Sequence, residues 1–388
     1  MKTTRLVLPF CTLAALVACG GSGGAGAQST DTFRANAPTF DKMAVAQNDS
    51  DVAAPSQSAT SDTTTQNSTT PTCHPHLFQR TDEIIHRVNK HFFKLVAHVA
   101  DLIEDNPKLA SSGIRSWENV KDGVDRKFTM TAVANADGST TYDFQLQMKS
   151  TTGTADFVKV MSGSLTHSGP PDADRADAGV AARTEDKGSV SFDYDALATV
   201  VTTEKARGQI TDAFDNVDDP AKGVKRSASI ALTAFLPEEG DPHGPRTGSY
   251  SWEREPSIGG KFQFEDSLVL LCPTNSANAV ADLTTVARWY KSADGVHGRT
   301  DAKATGGQIL TGQTWLGVTC AKGPTNSAPA EGFWMVKLEA ANGSTVSGEA
   351  DLTGADPCDS AFGPMPSLTS NTSDYDFSSA VTFPGEWQ

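Results

Sequence analysis

The sequence predicts an α+β protein, in which one large curved antiparallel β-sheet (an open or half barrel) packs on one long N-terminal amphipathic helix. Two observations predict this fold. A single strongly periodic helical stretch occurs at residues 81–104, and most of the chain after it alternates between apolar and polar residues, as β-strands do. Helical segments do not recur between the strands often enough to indicate parallel βαβ units, and no repeat of fixed length is found.

The helix prediction depends on apolar residues spaced three and four positions apart, which places them on one face. These residues are Ile84, Ile85, Val88, Phe92, Leu95, Val96, Val99, Leu102 and Ile103. Thr81 is a suitable N-cap, and Asn106-Pro107 ends the helix. Phe92, Leu95 and Val99 are therefore expected to line any space between helix and sheet, where a lipid or another apolar ligand could bind.

The strand prediction begins at residues 126–135 and 140–149, which flank the hairpin signal Asp137-Gly138. Further strand-like segments follow at 156–166, 189–194, 227–236, 249–254, 261–272, 282–291, 298–304, 313–320, 332–341 and 374–383. Residues 114–120 predict one or two more helical turns, and residues 202–214 fit either a short helix or a strand. Residues 169–186 are rich in Pro, Asp and Ala and predict an exposed loop.

The chain start predicts a secreted, lipid-anchored protein. Lys2 and Arg5 precede a short apolar segment, and Leu16-Val17-Ala18-Cys19 follows it. This pattern resembles the lipobox of bacterial lipoproteins. The resemblance implies a signal peptide at 1–18 and a lipidated Cys19, while an ordinary secretory signal cut after Ala18 is the alternative. Gly20, rather than Asp, then implies the outer membrane of a Gram-negative cell envelope.

Residues 19–72 are expected to form a disordered tether after the lipidated cysteine, because they contain few large apolar groups. Residues 73–388 are expected to form a single helix-plus-β-meander domain. Its opening, Cys73-His74-Pro75-His76-Leu77-Phe78, resembles the domain start in a group of uncharacterised bacterial lipoproteins, as does the stretch 289–307. That resemblance implies no activity.

Charge and cysteine content limit the partners and the compartment. The net charge is −15, and it becomes −17 without Lys2 and Arg5, which argues against nucleic acid as a partner. After removal of Cys11 and lipidation of Cys19, four cysteines remain: Cys73, Cys272, Cys320 and Cys358. An even number in an oxidising compartment predicts two disulfides. Three connectivities are possible, of which Cys320–Cys358 with Cys73–Cys272 is preferred.

Other candidate sites have ordinary structural explanations beside the functional ones. A metal site could use Cys73, His74, His76, His86, His91 and His98, but a disulfide cysteine, cap residues and partly exposed helix histidines are the favoured explanation, and no metal or cofactor is expected. Asp172, Asp174 and Asp177 match a calcium loop poorly. The strand acids are Asp193, Asp195, Glu253, Glu255, Glu265 and Asp266, and solvent-facing positions explain them. Core positions are similarly expected for Trp252, Trp289, Trp315, Trp334 and Trp387.

No motif for a particular chemistry is present, so an enzyme is not favoured. The leading hypothesis is a non-enzymatic envelope lipoprotein that holds an apolar ligand between helix and sheet. A structural or surface-interaction module that contacts another envelope protein is the alternative. A hydrolase with an unrecognised site is the second alternative.

Overall fold

The computed structural model describes residues 28–43, 75, 77–152, 156–169, 183–238, 244–255, 258–269, 280–293, 295–307, 309–323, 330–352, 362 and 365–377. Its helices are α1 (Thr30–Ala35), α2 (Phe40–Met43), α3 (Leu77–Ile103) and α4 (Tyr194–Val200), with a 3-10 turn at Thr372–Asp374. The strands are β1 (Leu109–Ser111), β2 (Ile114–Lys121), β3 (Val124–Ala134), β4 (Thr140–Ser150), β5 (Val158–Ser168), β6 (Thr184–Asp193), β7 (Arg207–Asp219), β8 (Gly223–Leu236), β9 (Arg246–Glu255), β10 (Gly259–Val269), β11 (Val280–Ser292), β12 (Gly295–Thr305), β13 (Gln313–Gly323), β14 (Ala330–Ala340) and β15 (Thr345–Asp351).

In the described part of the chain, the fifteen strands form one sheet in which spatial order equals chain order. Every pair is antiparallel, so successive connections alternate between two ends of the sheet. The β3–β4 end carries the turn at Asn135–Ser139. The β2–β3 end carries the turn at Asp122-Gly123, where Asp122 has φ 53° and Gly123 has φ 76°.

One face of the sheet, the inner face, carries most of the hydrophobic core. Strands β3, β4 and β7 alternate buried and more exposed side chains, as expected when the pleat turns successive residues to opposite faces. The inner-face residues Phe128, Phe144, Phe192, Ile210 and Phe262 belong to one continuous cluster. The alternating pattern in the sequence therefore encodes which face is covered.

Among the described residues, the opposite, outer face is covered toward the C-terminal strands. There Leu316, Val318 and Met335 pack with Tyr375 in a second cluster, beneath residues 362–377. Strands β12 and β13 are consequently buried on both faces along most of their length. This explains why their sequences alternate less clearly than those of β3 to β8.

The prediction of a β-rich chain is confirmed, but the α+β fold class, with the sheet packed on one long helix, is wrong. The 15-stranded antiparallel sheet makes up most of the structure, and only 14% of it is helical. Helix α3 covers 27 residues and contributes Leu95, Val96, Val99 and Leu102 to the core, yet most core residues belong to strands. The pairing of the strands with one another, rather than one helix, organises the fold.

Two local predictions are also wrong. Residues 114–120 form strand β2 instead of helical turns, because they pair with β3 along their whole length. Residues 374–377 of the predicted last strand have no strand structure, while Thr345–Asp351 forms the unpredicted β15. The ambiguous segment 202–214 contains the start of β7, and the expected loop 169–186 already enters β6 at Thr184.

The segment expected to be a disordered tether is folded where it is described. Within residues 28–43, Phe33 and Ala37 are fully buried and Met43 is 1% exposed. Ser29 caps α1 by accepting a hydrogen bond from Thr32 N. This part of the chain belongs to the folded body, although its composition is mostly polar.

Candidate functional site

The ligand space expected beside the helix is closed at the residues that the structure describes there. Leu95 and Val99 are both 0% exposed and lie within the continuous core cluster. The side chain of Phe92 lies outside the described residues. A void large enough for a water molecule would leave accessible surface on these side chains, so protein atoms fill the space around Leu95 and Val99.

Only one of the predicted disulfide cysteines is described. Cys320 is 0% exposed on β13 and forms a disulfide. Cys19, Cys73, Cys272 and Cys358 lie outside the described residues, so the pairing and the lipidation stay predictions.

The metal and calcium hypotheses gain no geometric support. Among the described residues, no group of three or more His, Cys, Asp or Glu side chains could hold a metal ion. His98 instead accepts a hydrogen bond from Arg126. The other residues of these two hypotheses lie outside the part of the chain that the structure describes. They are Cys73, His74, His76, the side chains of His86 and His91, and the loop with Asp172, Asp174 and Asp177.

Most predicted strand acids that are described have structural tasks. Asp193 Oδ1 accepts from Ala196 N at 2.8 Å and caps α4, while Asp195 accepts from Gly208 N at 3.1 Å. Glu253 pairs with Lys225 at 2.7 Å, and Asp266 accepts from the Tyr250 hydroxyl at 2.7 Å. The remaining two are Glu255, which is buried, and Glu265, which is exposed.

The predicted tryptophans are core residues wherever they are described. Trp252, Trp289, Trp315 and Trp334 belong to the inner-face cluster, and each is at most 8% exposed. Trp387 lies outside the described residues. These tryptophans therefore form no exposed aromatic binding face.

The structure assembles a polar row that the sequence did not reveal. The row consists of inner-face residues that are direct cross-strand neighbours on β5 to β9: His167, Asp186, Asn216, Arg226 and Arg254. It lies toward the β3–β4 end of the sheet and beneath α2. Because the members are far apart in sequence, only the strand register brings them together.

The centre of this polar row is the pair His167–Asp186. His167 Nδ1 lies 2.7 Å from Asp186 Oδ1, and Lys42 Nζ lies 3.3 Å from Asp186 Oδ2. Burial raises the pKa of the Asp186 carboxyl, but the hydrogen bond from His167 and the charge of Lys42 outweigh it, so the pKa lies below its ordinary value. His167 Nε2 is buried and has no hydrogen-bond partner.

An oriented imidazole of this kind could accept a proton from a nucleophile at Nε2. Asn216 Nδ2 donates to the carbonyl of Lys42 at 2.7 Å, so α2 is fixed directly over the row. In the described residues, no Ser, Thr or Cys side chain bonds to His167 Nε2. The row therefore holds the N-terminal segment in place.

A second buried acid stands alone. Asp212 lies on the inner face of β7 between Val190 and Ile230, is 0% exposed, and has no hydrogen-bond partner at either oxygen. Burial raises the pKa of its carboxyl to about 8. The side chain is therefore mainly protonated and neutral at pH 7. The only sequence signal is an acid at a position where the alternation demands an apolar residue.

The outer face of β4 to β10 carries a wide surface of small neutral side chains, here called the hydroxyl face. It consists of two adjacent cross-strand rows: Gln145, Ser162, Ser191, Thr211, Ala231, Ser249 and Glu265 in one, and Asp143, Ser164, Ser189, Ala213, Ser229, Ser251 and Gln263 in the other. None of these residues is buried. The seven strands span about 29 Å at ~4.8 Å per strand.

Charge is nearly excluded from the hydroxyl face. Only Asp143 and Glu265 are charged, and they lie on its two outermost strands. This leaves an uncharged strip two rows wide between them, and the neighbouring row on the same face carries Lys187, Asp215, Glu253 and Lys261.

No described helix is long and apolar enough to cross a membrane. Comparisons of the chain with models of protein families, with curated proteins and with solved structures find no match.

Proposed function

We propose that this chain is a lipid-anchored lipoprotein of a Gram-negative cell envelope, held at the outer membrane, that acts without catalysis as an interaction module. Its working surface is the hydroxyl face, and its partner is another envelope protein. The observation that carries this proposal is the contrast between the two faces. The inner face is filled around Leu95 and Val99, whereas the hydroxyl face is exposed and, apart from Asp143 and Glu265 on its outermost strands, uncharged.

The chemistry of the hydroxyl face suits recognition of a polar, neutral surface. Long flexible side chains lose about 0.5–1.5 kcal/mol each when an interface immobilises them, and Ser, Thr and Ala lose much less. Burial of unpaired charge costs several kcal/mol more, and the centre of this face carries none. Hydroxyl groups can donate and accept, so they adapt to either kind of partner group.

The apolar-ligand hypothesis is not retained as the leading function, because protein atoms occupy the expected space at Leu95 and Val99. The hydrolase alternative has only the His167–Asp186 pair in its favour. Lys42 binds the second oxygen of that carboxylate, which leaves the pair committed to holding α2.

Site-specific photocrosslinking in intact cells tests the proposal. A photoreactive side chain is introduced at Ser229 in the centre of the hydroxyl face, and at the exposed turn residue Lys222 as the control. We expect a discrete covalent adduct with one envelope protein from position 229 and none from position 222. Introduction of Ala213→Arg beside Ser229 should abolish the adduct without a change in the unfolding temperature. Equal labelling at both positions, or an adduct that survives Ala213→Arg, would contradict the proposal.

A further inference from the structure

Residues 28–43, here called the mooring segment, are fixed to the body of the protein by apolar packing. The ring of Phe33 is fully buried and meets the ring of Tyr142 edge-on, with centroids 5.7 Å apart. The Arg115 guanidinium lies over the ring of Phe33, 4.8 Å from its centroid. Ala37 and Met43 extend the buried stretch.

Polar contacts fix the mooring segment at both of its ends. Arg34 Nε donates to the carbonyl of Ile103 at 2.7 Å, and its Nη2 donates to the carbonyl of Asp105 at 2.9 Å. These carbonyls lie at and just after the C-terminus of α3, where the helix dipole favours a cation. At the far end, Lys42 meets Asp186, as described above.

The point at which the mooring segment begins is also defined. Gln28 Nε2 donates to Thr140 Oγ1 at 3.4 Å, and the guanidinium of Arg115 donates to the carbonyl of Gln28. Thr140 is the first residue of β4, directly after the turn Asn135–Ser139. The chain therefore joins the body at the β3–β4 end of the sheet.

This attachment shortens the distance allowed between anchor and body. Gln28 is only nine residues from Cys19. Nine residues span at most about 30 Å, a distance that they reach when the chain is fully extended. Were α3 the first fixed element, Leu77 would be 58 residues away and the limit would rise to roughly 200 Å.

We infer that the mooring segment holds the β3–β4 end of the sheet beside the lipid surface, an inference that rests on the proposed acylation of Cys19. The strands then rise away from the membrane, and the hydroxyl face is directed sideways, toward neighbouring proteins on the same membrane. The mooring segment thus determines both the distance and the orientation of the interaction surface.

Fluorescence quenching in vesicles tests this inference on the full-length acylated protein. A fluorescent amino acid is placed at Ala136 in the β3–β4 turn or at Val120, which is 64% exposed near the β2–β3 end. The 11-residue strand β3 separates these ends by about 36 Å. With an acceptor dye on the lipid headgroups, we expect quenching at position 136 to be at least threefold stronger than at position 120.

A matched pair of variants tests the role of the mooring segment itself. Ala37→Asp places a carboxylate at a fully buried position, while Ala35→Asp places the same group at an exposed one. We expect Ala37→Asp to remove most of the difference in quenching between positions 136 and 120, and Ala35→Asp to preserve that difference. Circular dichroism and cooperative unfolding verify that the sheet of both variants is intact.

The failures of the two proposals are distinguishable. Acylated, folded protein with equal quenching at positions 136 and 120, or with a difference that Ala37→Asp leaves unchanged, overturns the mooring inference alone. Protein whose intact mass shows no acyl chains at Cys19 overturns the anchor and, with it, the inference.

Discussion

The guanidinium of Arg126 on β3 donates to Nδ1 of His98 on α3 across 3.1 Å. Since arginine can only donate, the Nδ1 atom must accept, and the imidazole is neutral in this contact. Arg126 also donates to Asp101 Oδ2 at 2.7 Å, and it is only 2% exposed. The last turns of α3 are thus bound to β3 through one desolvated guanidinium.

This contact predicts a loss of stability in mild acid. Burial, followed by the charge of Arg126, lowers the pKa of His98 below its ordinary value. The unfolded chain binds the proton near pH 6.5 and the folded chain only at lower pH. The contribution of His98 is therefore fully present above pH 6.5 and is lost as the pH falls through the folded pKa.

Urea unfolding at pH 7.5 and pH 5 measures this contribution. The variant His98→Gln retains an acceptor for Arg126 but cannot titrate. We expect the free energy of unfolding of the native protein to fall more steeply between these pH values than that of the variant. An identical fall in both proteins would show that His98 is not responsible.

The lone carboxyl of Asp212 predicts the opposite pH dependence. Its folded pKa of about 8 lies far above the ordinary value near 3.9, so its proton stabilises the folded state in acid. That stability is fully present below pH 3.9 and is lost as the pH rises through about 8. Asp212→Leu matches the apolar neighbours Val190 and Ile230 and removes the titration.

We expect the free energy of unfolding of Asp212→Leu to exceed that of the native protein by a few kcal/mol at pH 8.5, so the variant should also unfold at a higher temperature. The difference should shrink at pH 5. Asp143→Leu on the exposed outer face is the control and should show no such pH-dependent gain. A destabilised Leu variant at pH 8.5 would mean that Asp212 has a partner in solution.

Residues 362–377 should depend on Asp301 for their attachment to the sheet. Asp301 is fully buried between Arg288 and Arg299, which are 1% and 2% exposed. Arg299 also donates to the carbonyl of Phe362 at 2.8 Å and to that of Asp374 at 3.2 Å. Removal of one member of such a buried network leaves uncompensated charge and costs about 3–5 kcal/mol.

The substitution Asp301→Asn should therefore lower the unfolding temperature and accelerate proteolytic cleavage within 362–377. Thermal unfolding and mass-spectrometric mapping of the cleavage sites measure the two effects. Asp31→Asn is the surface control, because the Asp31 carboxylate is 87% exposed in its pair with Arg34. Exposed pairs contribute about 0–1 kcal/mol, so this variant should behave like the native protein. Unchanged cleavage in Asp301→Asn would show that Asp301 does not hold this C-terminal segment on the sheet.

Gly188 on β6 is expected to tolerate no side chain. A Cβ atom there would lie 2.3 Å from the Ser164 carbonyl oxygen and 2.9 Å from the ring of Phe214. Backbone of a neighbouring strand cannot move aside cheaply, so Gly188→Ala should destabilise the protein by several kcal/mol. Ser189→Ala, one residue away on the outer face, should be nearly neutral in the same denaturant titration. Native-like stability of Gly188→Ala would show that β5 and β6 are less closely packed.

The sequence could reveal elements whose pattern arises from one covered face. Helix α3 is visible because its apolar residues recur every three or four positions, and the β3–β4 hairpin because Asp137-Gly138 separates two alternating stretches. Strand β2 is not visible in the sequence, because Ile114, Trp117 and Val120 lie three positions apart, a spacing that fits a helix and that the pairing with β3 overrides.

The candidate surfaces could not be predicted, because they exist only through strand register. His167 and Asp186 are nineteen positions apart and become neighbours only when β5 pairs with β6. The stable burial of Phe33 and Met43 does not follow from composition for a related reason: the segment alone has too little apolar surface for order, and the sheet supplies the partner surface.

Native mass spectrometry of the protein, gently extracted from its membrane, would show both the lipid anchor and any molecule bound inside. We predict one species whose chain begins at Cys19, carries acyl chains there, and retains no further small molecule, in keeping with the filled space around Leu95 and Val99. A chain without acyl groups, or one that retains an apolar molecule in equimolar amount, would contradict the account of a lipid-anchored interaction module.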